Sequence, residues 1–293
     1  KAAAVLLAAA MAVSMMTACG GGAGGGSGVV SGVTYTSNAA AVEGIDANSI
    51  ENETLLTKAD SKYMQFLAKY QTEDKLYQRT EMTGYGTSAG QTATMIEAKN
   101  GNFVYTEVTY QGQTRKSLTE IDGNTMCYYT LLEESGKKAA IKQKSTHSGT
   151  TSPEGGTSGT PSTSNATSAT VKVDGTVYYA EMSRGEQGST TICFKPDSPV
   201  PTYVFEDEGD GNKTTIVYKE VCFGNDKGLC DGVLIGYDVY TLEDIDMTTG
   251  TATLTDEKGG KYTAQYTASG WTVTKDGQDV TSDFQWIINK MFS

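Results

Sequence analysis

The chain has 293 residues, a formal net charge of −12 at neutral pH, 34 glycines, 5 prolines and a single histidine. So acidic a chain does not hold nucleic acid or an anionic membrane surface by charge, and one histidine excludes multi-histidine zinc and facial-triad sites. Low proline with abundant glycine and threonine fits a sheet-rich protein with many turns.

Lys1 precedes an uncharged apolar run, Ala2 to Val13, which is the layout of a signal peptide over residues 1–18. Lys1 itself reads as the end of a longer basic region. The run is too short for a bilayer-spanning helix, which needs about 20 apolar residues. It gives way to Met16-Thr17-Ala18-Cys19, which resembles the lipobox of bacterial lipoproteins. That resemblance implies export, cleavage before Cys19 and acylation of its thiol. The mature chain would then be anchored by lipid at the outer face of a cell membrane or in an outer membrane. Two or more acyl chains make such attachment stable, at about 0.8 kcal/mol per buried methylene.

Residues 19–48 read as a lipidated cysteine on a flexible leash, glycine-rich from Gly20 to Gly28. About 30 residues at roughly 5–6 Å times the square root of length would hold the body some 30 Å from the bilayer. Leu55, Leu56, Ala59, Tyr63, Phe66, Leu67 and Tyr70 then recur at three- and four-residue spacing, the mark of an amphipathic helix with Asn52 or Thr54 as its cap.

From Lys75 short alternating segments are separated by turn dipeptides such as Asn100-Gly101, Gln111-Gly112, Asp122-Gly123 and Asp174-Gly175, the signature of antiparallel hairpins. Strands are expected at 76–84, 92–99, 103–110, 115–121, 125–132 and 139–144. Ser145 to Ala169, rich in Ser, Thr, Gly and Pro, reads as a disordered insertion. Strands resume at 176–183, 190–195, 202–206, 213–223 and 232–240, completing a body over 49–240. The remainder, 241–293, reads as a small extension of three β-like stretches and a helix from Asp283 to Phe292, capped by Asp283 or Ser282.

Both alternating sets of Thr125–Leu132 are apolar, so that strand is expected to be covered on two sides. In Phe103–Tyr110 the set Val104, Val108, Tyr110 is the more apolar. It is expected to lie under the helix as core or, together with Tyr63 and Phe66, to line a cavity for an apolar ligand. Four cysteines remain besides Cys19. Cys222 and Cys230 flank a turn-rich loop that could bring them together as a disulfide, and buried free thiols are the competing reading.

The order of elements, with segments such as Ile96–Glu107, Ile121–Tyr129 and Val173–Glu181, resembles lipoprotein carriers of the LolA and LppX type over about Asn52 to Val239. The resemblance implies an α+β, mainly β fold: an antiparallel meander forming a half-barrel over an N-terminal amphipathic helix, followed by a short C-terminal helix. It also implies a hydrophobic or lipid ligand between sheet and helix. Two features depart from that family, the insertion at 145–169 and the tail from about Gly250.

Catalytic signals are weak. Gly86-Thr87-Ser88-Ala89-Gly90 matches Gly-x-Ser-x-Gly but sits in a hairpin turn, without the strand-turn-helix setting of a nucleophile elbow. The acidic run Glu206–Asn212 lacks the spacing of a calcium loop and reads as a solvated hairpin tip. Neither a cofactor nor a metal is expected. The sequence therefore reads as a non-catalytic cell-envelope lipoprotein that binds a hydrophobic ligand. The alternative is a surface interaction or scaffold module contacting protein or polysaccharide through exposed tyrosines.

Overall fold

The computed structural model describes residues 31–86, 89–146, 166–185 and 188–292. The signal segment, Cys19, the glycine tract, Ser88, His147 and residues 147–165 of the expected insertion lie outside the described residues.

The described chain is mainly β, an open and largely antiparallel sheet with two helices. In chain order the elements are β1 (Thr34–Thr36), β2 (Glu51–Leu55), α1 (Lys62–Thr72), β3 (Lys75–Gly86), β4 (Thr92–Asn100), β5 (Phe103–Tyr110), β6 (Gln113–Asp122), β7 (Thr125–Glu134) and β8 (Lys137–Thr146). There follow β9 (Ala166–Val173), β10 (Thr176–Gly185), β11 (Gly188–Phe194), β12 (Pro201–Asp207), β13 (Asn212–Phe223), β14 (Asp238–Asp246), β15 (Thr251–Asp256), β16 (Lys261–Thr267), β17 (Gly270–Lys275), β18 (Gln278–Asp279) and α2 (Thr281–Phe292).

Two meanders, β3 to β8 and β9 to β13, are joined side by side through β13 and β3, which pair from Asn212↔Gly86 to Phe223↔Leu76. Their hairpins have the expected chemistry. Gln111 and Gly112 both take positive φ (50° and 77°), as do Asp174 and Gly175 (47° and 75°), which type I′ turns require. Gly86 is constrained differently. A Cβ there would stand 2.0 Å from the Gly211 carbonyl oxygen, so the first glycine of the Gly-x-Ser-x-Gly match serves close strand approach to β13.

Both faces of the sheet carry apolar side chains packed beneath other parts of the chain. On the inner face, Phe66 of α1 is 2% exposed and packs with Leu76, Val200, Val221 and Phe223. Burying one such aromatic side chain is worth about 2–3 kcal/mol. On the outer face, residues 39–50 cross the second meander, with Ala39, Val42, Ile45 and Ile50 packed over Val171, Ala180, Tyr203 and Val217. Further along that face, Leu229, Val233, Leu234 and Tyr237 cover Tyr105, Leu118, Tyr129 and Leu131 of the first meander.

Several boundaries shift, each for a local reason. The leash does not run to Asn48: β1 pairs with β13 (Thr34↔Cys222, Tyr35↔Val221, Thr36↔Glu220), and the Ala39 and Val42 carbonyls accept from Lys219 Nζ and Thr215 Oγ1. The periodicity of Leu55, Leu56 and Ala59 is not helical. β2 finds its backbone partners on β9, Leu55 is 83% exposed, and a Thr57–Asp60 turn separates it from α1. The helix cap is therefore Ser61, whose hydroxyl accepts from the Met64 N–H at 3.1 Å, in place of Asn52 or Thr54. The insertion ends before Ala166, where β9 begins, and the strand expected at 232–240 starts only at Asp238.

The boundary drawn at 240 falls inside β14, which pairs in parallel with β8 from Asp238↔Ala139 to Thr241↔Lys142, so the C-terminal unit continues the sheet. There Phe284, Ile287 and Ile288 of α2 pack with Leu254, Tyr262 and Val273 against Leu132, Ala139 and Ile141. This gives β7 its second covered face. α2 begins at Thr281, ahead of the Ser282 and Asp283 expected to cap it, which leaves Asp283 in the first turn where a carboxylate complements the helix dipole.

Cys222 and Cys230 are free thiols, as are Cys127 and Cys193, and all four are buried. The turn-rich loop brings the two into one core but gives each its own partner: Cys230 Sγ donates to the Ala98 carbonyl at 3.3 Å, and Cys222 Sγ lies 3.2 Å from Thr34 Oγ1. Burial raises the Cys193 thiol to about 12 and Cys230 to about 11, so the reactive thiolate is scarce at both. Maleimide labelling read by intact mass is expected to modify these four cysteines only after denaturation and without prior reduction. A native-state mass 2 Da lower than the all-thiol chain would show a disulfide instead.

Candidate functional site

The helix end of the inner face is filled. Of the two residues expected to line a cavity, Phe66 is core, and Tyr63 is half-buried and borders a small void at the start of α1. Phe66 makes edge contacts with Tyr218 and Phe223 at ring separations of 5.8 and 6.1 Å, and Tyr63 packs toward Ile192, Phe194 and Val204. At the start of α1 a void of about 30 Å³ is left, room for a single water.

Glu181 fixes this packing. From β10 it accepts the Ser61 hydroxyl at 2.6 Å and the backbone N–H groups of Lys62 and Tyr63 at 2.5 and 3.2 Å. A carboxylate taking up the free N–H groups of a helix start combines charge-assisted hydrogen bonding with the helix dipole.

Beyond α1 the inner face changes character. Cross-strand registers place Val221, Gln78, Glu97, Thr106, Ser117 and Thr130 in one row running from under the helix across β3 to β7. The neighbouring row runs Tyr218, Thr80, Met95, Val108 and Arg115. The strip between the two helices thus has a polar floor of Thr80, Glu97, Ser117 and Thr119, all buried, flanked by the half-buried Met95, Val104 and Val108. Among the described residues, Glu97 Oε1 and Thr80 Oγ1 are buried and without a hydrogen-bond partner. Two such atoms on paired strands of one face are unusual, because a buried polar atom left unsatisfied costs about 1–3 kcal/mol.

Burial raises the Glu97 carboxyl to about 7, and the charge of Lys99 only partly opposes it. Lys99, two residues along the same strand, gives its ammonium to the Gln71 carbonyl at the end of α1 at 2.9 Å. Glu206, on the same face of β12, is also raised, by burial and then by the charge of Glu208. The buried Tyr218 phenol is raised well above its ordinary range, by burial first and then by Tyr63, Glu97 and Glu206.

Val104, Val108 and Tyr110 face the same side as α1, as expected, but α1 does not cover them. Val104 and Val108 are half-buried beside the polar floor, and Tyr110 is 39% exposed at the rim. The buried residue of β5 is Tyr105, on the outer face beneath the 229–239 segment. Glu97 and Thr80 were missed by sequence reasoning. The available signal was a glutamate inside a nine-residue strand, in phase with Met95 and therefore facing the helix side.

A second feature lies where β12 begins and β1 takes over as the neighbour of β13. The register slips between Tyr218 and Glu220, and a cleft of about 240 Å³ opens, bounded by Tyr35, Val200, Thr202, Tyr218 and Val221. At the acidic hairpin tip, Asp207 and Asp210 accept from the N–H groups of Gly209 and Asn212, both at 2.9 Å, so these carboxylates serve their own turn. Among the described residues, no group of three or more His, Cys, Asp and Glu could hold a metal ion, and no helix is long and apolar enough to cross a membrane.

No protein-family model and no curated protein matches the chain. Among solved structures it is similar to a DUF1329 family protein from Desulfovibrio piger ATCC 29098, at 10% identity and a TM-score of 0.28, over 59% of this chain and 96% of that one. It is also similar to MucB in complex with MucA(peri), at 12% identity and a TM-score of 0.30, over 73% and 89%. Likenesses this distant assign neither a family nor a role.

The floor carries a testable electrostatic signature. Between about 4.5, the ordinary value, and about 7, folded Glu97 holds a proton that the unfolded chain releases. Stability therefore falls as pH rises through that window, by roughly 3 kcal/mol in all. In urea unfolding, Glu97→Gln is expected to be more stable than the parent above pH 7, with the difference shrinking as pH falls from about 7 to about 4.5. A difference independent of pH would contradict the assignment.

Proposed function

We propose that this chain is a lipid-anchored cell-envelope protein, held through Cys19, that binds an amphipathic ligand along the inner face of its half-barrel and performs no covalent chemistry. The observation that carries the reading is the pair of unpartnered buried atoms, Glu97 Oε1 and Thr80 Oγ1, in a strip flanked by the half-buried Met95, Val104 and Val108. A ligand with a polar group and an apolar chain satisfies both parts of such a floor, as binding sites commonly do with a few placed polar groups in an apolar setting. The helix-covered part of the face is already occupied by Phe66, so the reading puts the ligand over β3 to β6.

Native mass spectrometry of the purified chain with long-chain amphiphiles is expected to show one-to-one adducts. Val108→Trp, which fills the strip from a half-buried position, is expected to weaken them at least tenfold without lowering the melting temperature. Absence of adducts in the parent would overturn the ligand reading. Separately, Cys19→Ala in the expressed precursor is expected to abolish palmitate labelling and move the chain from the membrane to the soluble fraction. Labelling that persists would remove the anchor.

A further inference from the structure

We propose that Glu97 and Thr80 form a head-group subsite for a ligand that presents an N–H or O–H donor, an amine or a hydroxyl, and not a carboxylate. The inference rests on the binding reading above and specifies the chemistry of the polar end.

Glu97 Oε1 is a carboxyl oxygen with no donor, and Thr80 Oγ1, on the paired strand, is a hydroxyl oxygen with neither donor nor acceptor. Ionised, the carboxyl is an acceptor only, and the hydroxyl adds one donor and further acceptor capacity. The unmet demand at this point is thus weighted toward donors. The surrounding row carries the Gln78 amide and the Thr106 and Ser117 hydroxyls, yet none of these donates to Glu97 Oε1 or bonds Thr80 Oγ1.

Charge points the same way. Lys99 is spent on the Gln71 carbonyl. Arg115 lies at the exposed end of the neighbouring row, beyond Met95 and Val108. A second carboxylate brought to Glu97 would meet like charge in a buried setting, where such repulsion is least screened. An ammonium or hydroxyl would complete both orphaned atoms. Its alkyl chain would lie against the half-buried apolar side chains of Met95, Val104 and Val108.

The test compares three probes of equal chain length, dodecylamine, dodecanol and dodecanoate, binding to the full chain at pH 8 and 0.3 M salt, measured by tryptophan fluorescence and native mass spectrometry. Dodecylamine and dodecanol are expected to bind at least tenfold more tightly than dodecanoate. In Glu97→Gln the amine is expected to lose at least tenfold while dodecanoate is unchanged or improved, and Thr80→Val is expected to weaken the alcohol. Thermal melts of both variants, with Thr80→Val as the independent check, guard against misfolding.

An amine preference that survives in Glu97→Gln would be general attraction to an acidic protein and would overturn the subsite. Equal or tighter binding of dodecanoate would overturn it as well, while leaving the binding reading standing if Val108→Trp still blocks uptake. Failure of all three probes to bind would instead bring down the binding reading, and the subsite with it.

Discussion

Apolar side chains on both faces of a sheet must be covered, and where the cover stops in this chain decides where a site can exist. The outer face is closed by two irregular segments, residues 39–50 and 224–237, laid over the two meanders. The inner face has two short helices instead. α1 reaches β11 to β13 and β3 through Phe66 and Tyr63, and α2 reaches β7 and β8 through Phe284, Ile287 and Ile288. Neither covers the run from β4 to β6. That is where the floor turns polar and where Glu97 sits, with Thr80 on the adjoining strand β3.

The position of α1 is fixed more tightly than packing alone would require. Glu181, reaching from β10, takes the first free N–H groups of the helix and the Ser61 hydroxyl. Lys99, reaching from β4, takes a carbonyl at its far end. The helix is thus pinned at both termini by side chains of opposite charge, each complementing the dipole at its end. The second pin also draws Lys99 away from Glu97, so the same interaction that holds the helix leaves the carboxyl without a salt bridge.

Much of the architecture was legible in the sequence because hairpins announce themselves. Glycine-bearing turns at 100–101, 111–112, 122–123 and 174–175 place the strands of both meanders, apart from β9 at the end of the expected insertion, within a few residues of where they lie. Four things were not legible. The strand β2 and the strap over 31–50 have weak local patterns, and their structure comes from pairing with β9 and β13, far away in sequence. The helix start was misplaced because Leu55, Leu56 and Ala59 share its period while their backbone is claimed by β2 and the turn after it. In β5 the apolar stripe pointed to the correct face, yet Val104 and Val108 lie past the end of α1, a distance that periodicity cannot convey. Glu97 was passed over because one acidic residue within an alternating strand looks like a solvent-facing position until the register shows which face it occupies.

The most direct test of the account is the titration of the Glu97 carboxyl itself, followed by its ¹³C resonance, assigned through its loss in Glu97→Gln, with and without dodecylamine. The account predicts a midpoint near 7 in the free protein, moving to lower pH when the amine is bound because an ionised carboxylate then has a donor. A midpoint in the ordinary glutamate range, unmoved by the amine, would contradict it.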